Sequence, residues 1–132
     1  MQRTFYQLYR GLAFLFAAGA VVQFFLAGLG VFGAASFEIH ATVGTILFIA
    51  SVVLLVLAGG LFLSGGLPRQ SASLATLLVV LMVVQYSLVA LFSETAPALA
   101  ALHPANGLLV LGTACALAFG WRPSAPAGRS GG

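Results

Sequence analysis

The stretch VVQFFLAGLGVFGAASFEIHATVG, residues 21–44, returns as VVQYSLVALFSETAPALAALHPANG at residues 83–107. Gln23 aligns with Gln85 and His40 with His103. Each histidine has a glycine four positions on, Gly44 and Gly107, and Leu26 and Leu29 match Leu88 and Leu91. Matches of Val and Leu carry little weight in an apolar chain. The histidine match carries more, because the chain has 2 histidines in all. We read the pair as a diverged internal repeat of a two-helix unit, with units over about 11–63 and 73–121.

Around this repeat the chain is almost wholly apolar. Of 132 residues 61% are hydrophobic and 5% charged, too few polar groups to cover the surface of a soluble domain this small. A helix needs ~20 apolar residues to cross a hydrocarbon core, and four runs meet that length, at about 11–33, 39–63, 73–92 and 100–121. Backbone groups in lipid must be satisfied within the segment, and the runs are too long for barrel strands. The expected fold is therefore all-α: one integral membrane four-helix bundle over residues 1–122, built from two repeated helical hairpins. The Pro, Ser and Gly content from Pro123 onward predicts a disordered cytoplasmic tail over 123–132.

The basic residues are Arg3, Arg10, Arg69, Arg122 and Arg129, and the acidic ones Glu38 and Glu94. Four spans put both termini and the loop between spans two and three on one side. Every arginine falls there, so the positive-inside rule makes that side cytoplasmic and the protein multi-pass in a bacterial-type inner (plasma) membrane. The net charge of +3 is thus a topology signal, and no nucleic-acid partner is expected. The lipid bilayer is the first partner. Arg3, Arg10 and the small residues Ala18-Gly19-Ala20 imitate a signal peptide, but the apolar run continues to about Phe32, so an uncleaved first helix is expected.

Local punctuation agrees with this plan. Gly65-Gly66-Leu67-Pro68-Arg69 reads as a tight turn, with Ser71 or Ser73 as the cap of the third span. Pro97 suits the start of a surface helical turn, and Pro104 places His103 at a helix start. Gly112, Ala116 and Gly120 form a small-residue ridge expected to contact span three or a second subunit.

Two neutral imidazoles at equal depth on the second and fourth helices are what a six-coordinate haem b needs. On this reading His40 and His103 ligate the iron, while Gly44 and Gly107, one turn deeper, leave room for the macrocycle. Leu47, Leu54, Val110, Ala114 and Leu117 would share that face, and Asn106 is a candidate contact for a propionate. Gln23 and Gln85 form a second symmetric layer. Intramembrane Gln is commonly interhelical glue, with each other, Thr45, Ser51 or Thr113 as candidate partners, and contact with a cofactor edge is the other role. Two further readings stay open. Glu38, His40, Glu94 and His103 could together hold a metal ion, or a quinone-type ligand could sit at the same mouth. The histidines could also serve packing alone, in a cofactor-free structural or accessory subunit.

The segment Phe37-Glu38-Ile39-His40 with Gly44, followed two spans later by a second histidine, resembles the bis-histidine four-helix bundles of membrane b-type cytochromes. It looks most like one half of a heme A synthase, in which a Glu shortly precedes the histidine of the second helix. Residues 24–32 are also similar to small four-span bacterial membrane proteins. The resemblance implies a haem-holding architecture, single-electron transfer or redox sensing, and a redox partner, a membrane-complex subunit or a homo-oligomer as company. No catalytic triad, phosphate loop or thiol pair is present, so autonomous catalysis is not expected. Cys115 is alone and mid-span, a small apolar filler.

Overall fold

The structure is a computed structural model that describes residues 2–120; the expected tail at 123–132 lies outside the described residues, as do Trp121 and Arg122. Four long helices carry the chain: α1 (Gln2–Val31), α2 (Phe37–Leu63), α3 (Arg69–Phe92) and α5 (His103–Phe119), with a single turn, α4 (Pro97–Ala100), before the last. Four helical segments are long and apolar enough to cross a membrane, the last running from Pro97 to Phe119. Among the described residues the fold is all-helical, and four such segments make the chain a multi-pass membrane protein.

Helix ends follow the local chemistry. Both α1 and α2 stop at a glycine with positive φ, Gly33 at 70° and Gly65 at 73°. In each case the next residue's N–H reaches back five positions, Ala34 to the Leu29 carbonyl at 2.8 Å and Gly66 to the Leu61 carbonyl at 2.7 Å. This is the Schellman closure, which satisfies carbonyls the helix leaves orphaned and needs the left-handed conformation that glycine adopts without strain. Pro97 stands in the first turn of α4 and Pro104 in the first turn of α5, as expected.

Two boundaries differ from expectation. Helix α1 begins at Gln2 rather than near residue 11, because its first turns are tied down. Tyr9 is buried, and the Arg10 guanidinium donates to the Ala118 carbonyl at 3.1 Å, where the last turn of α5 leaves acceptors free. Helix α3 begins at Arg69 with Pro68 as its cap, and makes no side-chain cap hydrogen bond. Ser71 is instead buried inside the helix, with its N–H on the Pro68 carbonyl.

The helices pack in the ring order α1–α2–α3–α5, so α1 lies diagonal to α3 and α2 diagonal to α5. Each contributes a seam with alternating steps of four and three residues: Tyr9, Ala13, Phe16 and Ala20 on α1; Leu47, Ser51, Leu54, Ala58 and Leu61 on α2; Ser71, Ala75, Leu78 and Met82 on α3. On α5, Asn106, Val110, Thr113 and Leu117 keep the same spacing. Such a heptad seam is the signature of knobs-into-holes packing. Many seam residues are Ala or Ser, which lets helices approach closely where lipid supplies no hydrophobic drive for association. The closed core occupies the end of the bundle that carries Arg3, Arg10 and Arg69. Among the described residues, α1 has no buried position after Ala20 and α2 none before Leu47. The end that carries Glu38 and Glu94 is where the bundle opens.

The small-residue ridge faces outward. Gly112 is exposed, and a Cβ built on it would meet nothing within 4 Å. The expected contact with span three is therefore absent, because the α3-facing side of α5 is taken by the seam through Asn106 and Val110.

Candidate functional site

Continuing the seam past the closed core brings the polar residues together. One step beyond Ala20 is Gln23, and one beyond Met82 is Gln85. On α2 the seam runs backward from Leu47 through Gly44 to His40, and on α5 from Val110 through Gly107 to His103. The packing register that buries Leu and Ala at one end thus delivers two Gln, two His and two Gly to the other. Together with Phe24, Tyr86 and the floor residues Ala20 and Met82, they line a cavity of about 580 Å³ whose wall is otherwise apolar.

The histidines are held in the same way in both halves. His40 Nδ1 donates to the Gln23 carbonyl at 3.2 Å, and His103 Nδ1 to the Gln85 carbonyl at 3.0 Å. A carbonyl only accepts, so each Nδ1 carries a proton, and the lone pair of a neutral ring is then on Nε2. The two rings lie with centroids 6.1 Å apart and planes inclined by 59°.

The glutamine amides differ. Gln23 Nε2 donates to the backbone carbonyl of His40 at 3.0 Å, and its Oε1 is buried with no partner. Gln85 Nε2 donates to His103 Nε2 at 3.0 Å, and its Oε1 accepts from Asn106 Nδ2 at 2.6 Å. Asn106 also donates to the Leu81 carbonyl at 2.9 Å. The sequence accounts for the difference. Where the second half has Asn106 just before its glycine, the first has Val43, which has no donor.

The glycines are close-approach positions. A Cβ on Gly44 would lie 2.9 Å from Gln23 Nε2 and 3.4 Å from the Tyr86 hydroxyl. One on Gly107 would lie 3.2 Å from the Phe24 ring and 3.5 Å from Gln85 Nε2. Their absent side chains therefore admit the amides of the neighbouring helices as well as bordering the cavity. Tyr86 closes the α2–α3 side by donating to Thr45 Oγ1 at 3.0 Å and packing edge-on against Phe48.

Residues 23–96, more than half of the chain, match the model of a family of unknown function, DUF6220. The chain belongs to that family. The matched region takes in Gln23, His40, Gly44 and Gln85, whereas His103 and Gly107 lie beyond it. No curated protein and no solved structure matches the chain.

Among the expected site residues of this DUF6220 member, all six come together at one cavity. The expected partners of the glutamines were wrong. No hydrogen bond joins the two, and Thr45, Ser51 and Thr113 each donate to a carbonyl of their own helix instead. That outcome is the usual one for Ser and Thr inside helices. Asn106, a candidate for a propionate, is turned inward onto Gln85. Its role as a clamp was visible in the sequence only as a polar residue on the His103 seam. The four-residue metal cluster is not assembled: among the described residues no three His, Cys, Asp or Glu side chains group to hold an ion. Glu38 and Glu94 are exposed at the rim.

Proposed function

We propose that this protein binds one haem b between His40 and His103, and that it transfers or senses single electrons. The observation that carries the reading is the pair of imidazoles across the cavity. Two imidazoles on opposite sides of one metal ion have ring centroids roughly 6 Å apart, since each metal–nitrogen bond is ~2.0 Å and the centroid lies about 1 Å behind the nitrogen. The separation here is 6.1 Å. Both rings also donate Nδ1–H to a backbone carbonyl, the outer-shell contact that fixes a ligating histidine; this leaves Nε2 of His40 for the metal, while at His103 the metal would take the place of the Gln85 amide. The cavity volume is within the range of cofactor sites, ~300–1,000 Å³. Bound haem would supply reversible one-electron chemistry. The chain's own part is to orient the two rings and exclude water with an apolar wall, which Gly44 and Gly107 border without side chains of their own.

The same reading takes the molecule as two repeated hairpins about an axis along the membrane normal. Supporting it, the cavity lining pairs up across the halves: Gln23 with Gln85, Phe24 with Tyr86, His40 with His103, Gly44 with Gly107 and Leu47 with Val110. The arginine-bearing end is cytoplasmic on this reading, the membrane is a bacterial-type plasma membrane, and a redox partner or a second copy docks within or beside the bilayer.

The visible absorption spectrum of the protein, produced with haem available and purified in detergent, is the test. Sharp reduced-state bands of a six-coordinate low-spin b haem are expected. A second reading, a cofactor-free packing role, is favoured by the hydrogen bonds that already tie α1 to α2 and α3 to α5 through these residues. A colourless, metal-free protein would leave that reading standing.

A further inference from the structure

We propose that the two histidines are inequivalent toward iron, and that His103 is a displaceable ligand whose place a small neutral ligand such as carbon monoxide can take, while His40 stays bound. The inference rests on the haem reading above. It comes from the way the hydrogen bonds of the two glutamines differ.

The hydrogen bonds around His103 form a chain whose direction is fixed at both ends by backbone carbonyls. Asn106 Nδ2 donates to the Leu81 carbonyl and to Gln85 Oε1. That fixes the Gln85 amide with its Nε2 toward His103, where it donates to the Nε2 lone pair at 3.0 Å. The His103 Nδ1–H then donates to the Gln85 carbonyl. Reversing the Gln85 amide would set two donors against each other at Asn106 and two lone pairs against each other at His103, so this orientation stands.

The lone pair that Gln85 occupies is the one iron would use. His103 therefore has two satisfied states, on the metal or on the amide. His40 has one. Its Gln23 Nε2 donates to the His40 backbone carbonyl and makes no bond to His40 Nε2, and the free Gln23 Oε1 is an acceptor that offers a lone pair nothing. Were an incoming ligand to compete for iron, the His103–iron bond would break, the new ligand would take its place, and the freed lone pair would return to the Gln85 N–H. Displacement on the His40 side would leave its lone pair with no amide to receive it. Such ligand exchange is a population shift set by how well the released state is satisfied.

The test is a carbon monoxide titration of the reduced, haem-loaded protein, followed by its Soret band. The parent should form the adduct. Asn106→Val, which gives the second half the residue of the first, should raise the half-saturating concentration about fivefold, the worth of roughly one net hydrogen bond. Gln85→Leu should act in the same direction and serves if the first variant fails to fold. In a His103→Ala background Asn106→Val should change nothing, because the relay no longer has a histidine to receive. A haem-loaded parent that forms no adduct, or variants that titrate like the parent, would overturn this inference and leave the haem reading intact. An effect of Asn106→Val that persists without His103 would also overturn it. A parent with no Soret band removes the haem reading, and this inference with it.

Discussion

His40 and His103 stand with ring centroids 6.1 Å apart on α2 and α5, the diagonal pair of the bundle. Helices across a diagonal do not pack directly, so the rings are held by the side neighbours, α1 for His40 and α3 for His103. Replacing either ring with Ala should convert a six-coordinate low-spin spectrum to a five-coordinate one. If His103 is the displaceable ligand, His40→Ala should lose more haem on gel filtration than His103→Ala. Equal loss would make the rings equivalent, and unchanged low-spin bands in either variant would exclude that residue as a ligand.

Gly44 and Gly107 give a second prediction. Gly44→Ala places a methyl 2.9 Å from the Gln23 amide nitrogen, so the end of that side chain must move and its bond to the His40 carbonyl is lost. The expected cost is about 1 kcal/mol, the net value of such a bond, read as a lower unfolding temperature in detergent. At Gly107 the nearest atom is the Phe24 ring at 3.2 Å and the amide stands farther off, at 3.5 Å, so Gly107→Ala should cost less. The reverse order would mean that the Gln23 bond adds little to stability.

What could be read in the sequence was whatever depends on period and composition. Helix count follows from run length, and the turn at Gly65–Arg69 from glycine and proline chemistry. The gathering of Gln23, His40, Gln85 and His103 follows from a spacing repeated in both halves. Hydrogen-bond partners were not legible, because a Gln on a seam reaches several acceptors and only the local rotation of its neighbours decides among them. Gln23 and Gln85 sit at matching positions yet choose differently, and the choice turns on Val43 against Asn106. The start of α1 was missed for a related reason. Residues 2–10 look too polar to span, and it is Tyr9 and Arg10, docked against the rest of the bundle, that carry the helix through them.

The outward ridge on α5 makes a third prediction. Gly112 is exposed and has open space where a side chain would go, so Gly112→Leu should change the stability of the single bundle by no more than ~0.5 kcal/mol, as for other surface positions. Any larger effect would have to come from a second copy packed on the ridge, since Gly, Ala and Gly at this spacing suit close helix contact in lipid. Chemical crosslinking of the parent and of the variant in the membrane separates the two cases. A dimer lost on substitution places the interface here, and identical patterns leave the ridge to lipid.

The last prediction concerns orientation, on which the meaning of the open end depends. Among the described residues, Arg3, Arg10 and Arg69 gather at the closed end and Glu38 and Glu94 at the end where the cavity lies. Arginine near span ends is retained on the cytoplasmic side, while acidic residues weigh little in the rule. A reporter fused after Gly132 should therefore be active only in its cytoplasmic form, and one inserted at Ser93–Thr95 only in its external form. The haem edge would then be presented to the outer face, and a redox partner would be sought there. Arg10 is the most informative single residue for this test, because its guanidinium is engaged by the Ala118 carbonyl rather than free at the surface. Arg10→Leu removes a charge and a donor at once, so it should loosen the end of α5 and lower the unfolding temperature while Arg3 and Arg69 still hold the topology. If the reporter after Gly132 instead became active outside in that variant, Arg10 would be setting the orientation itself, and its contact with α5 would be secondary.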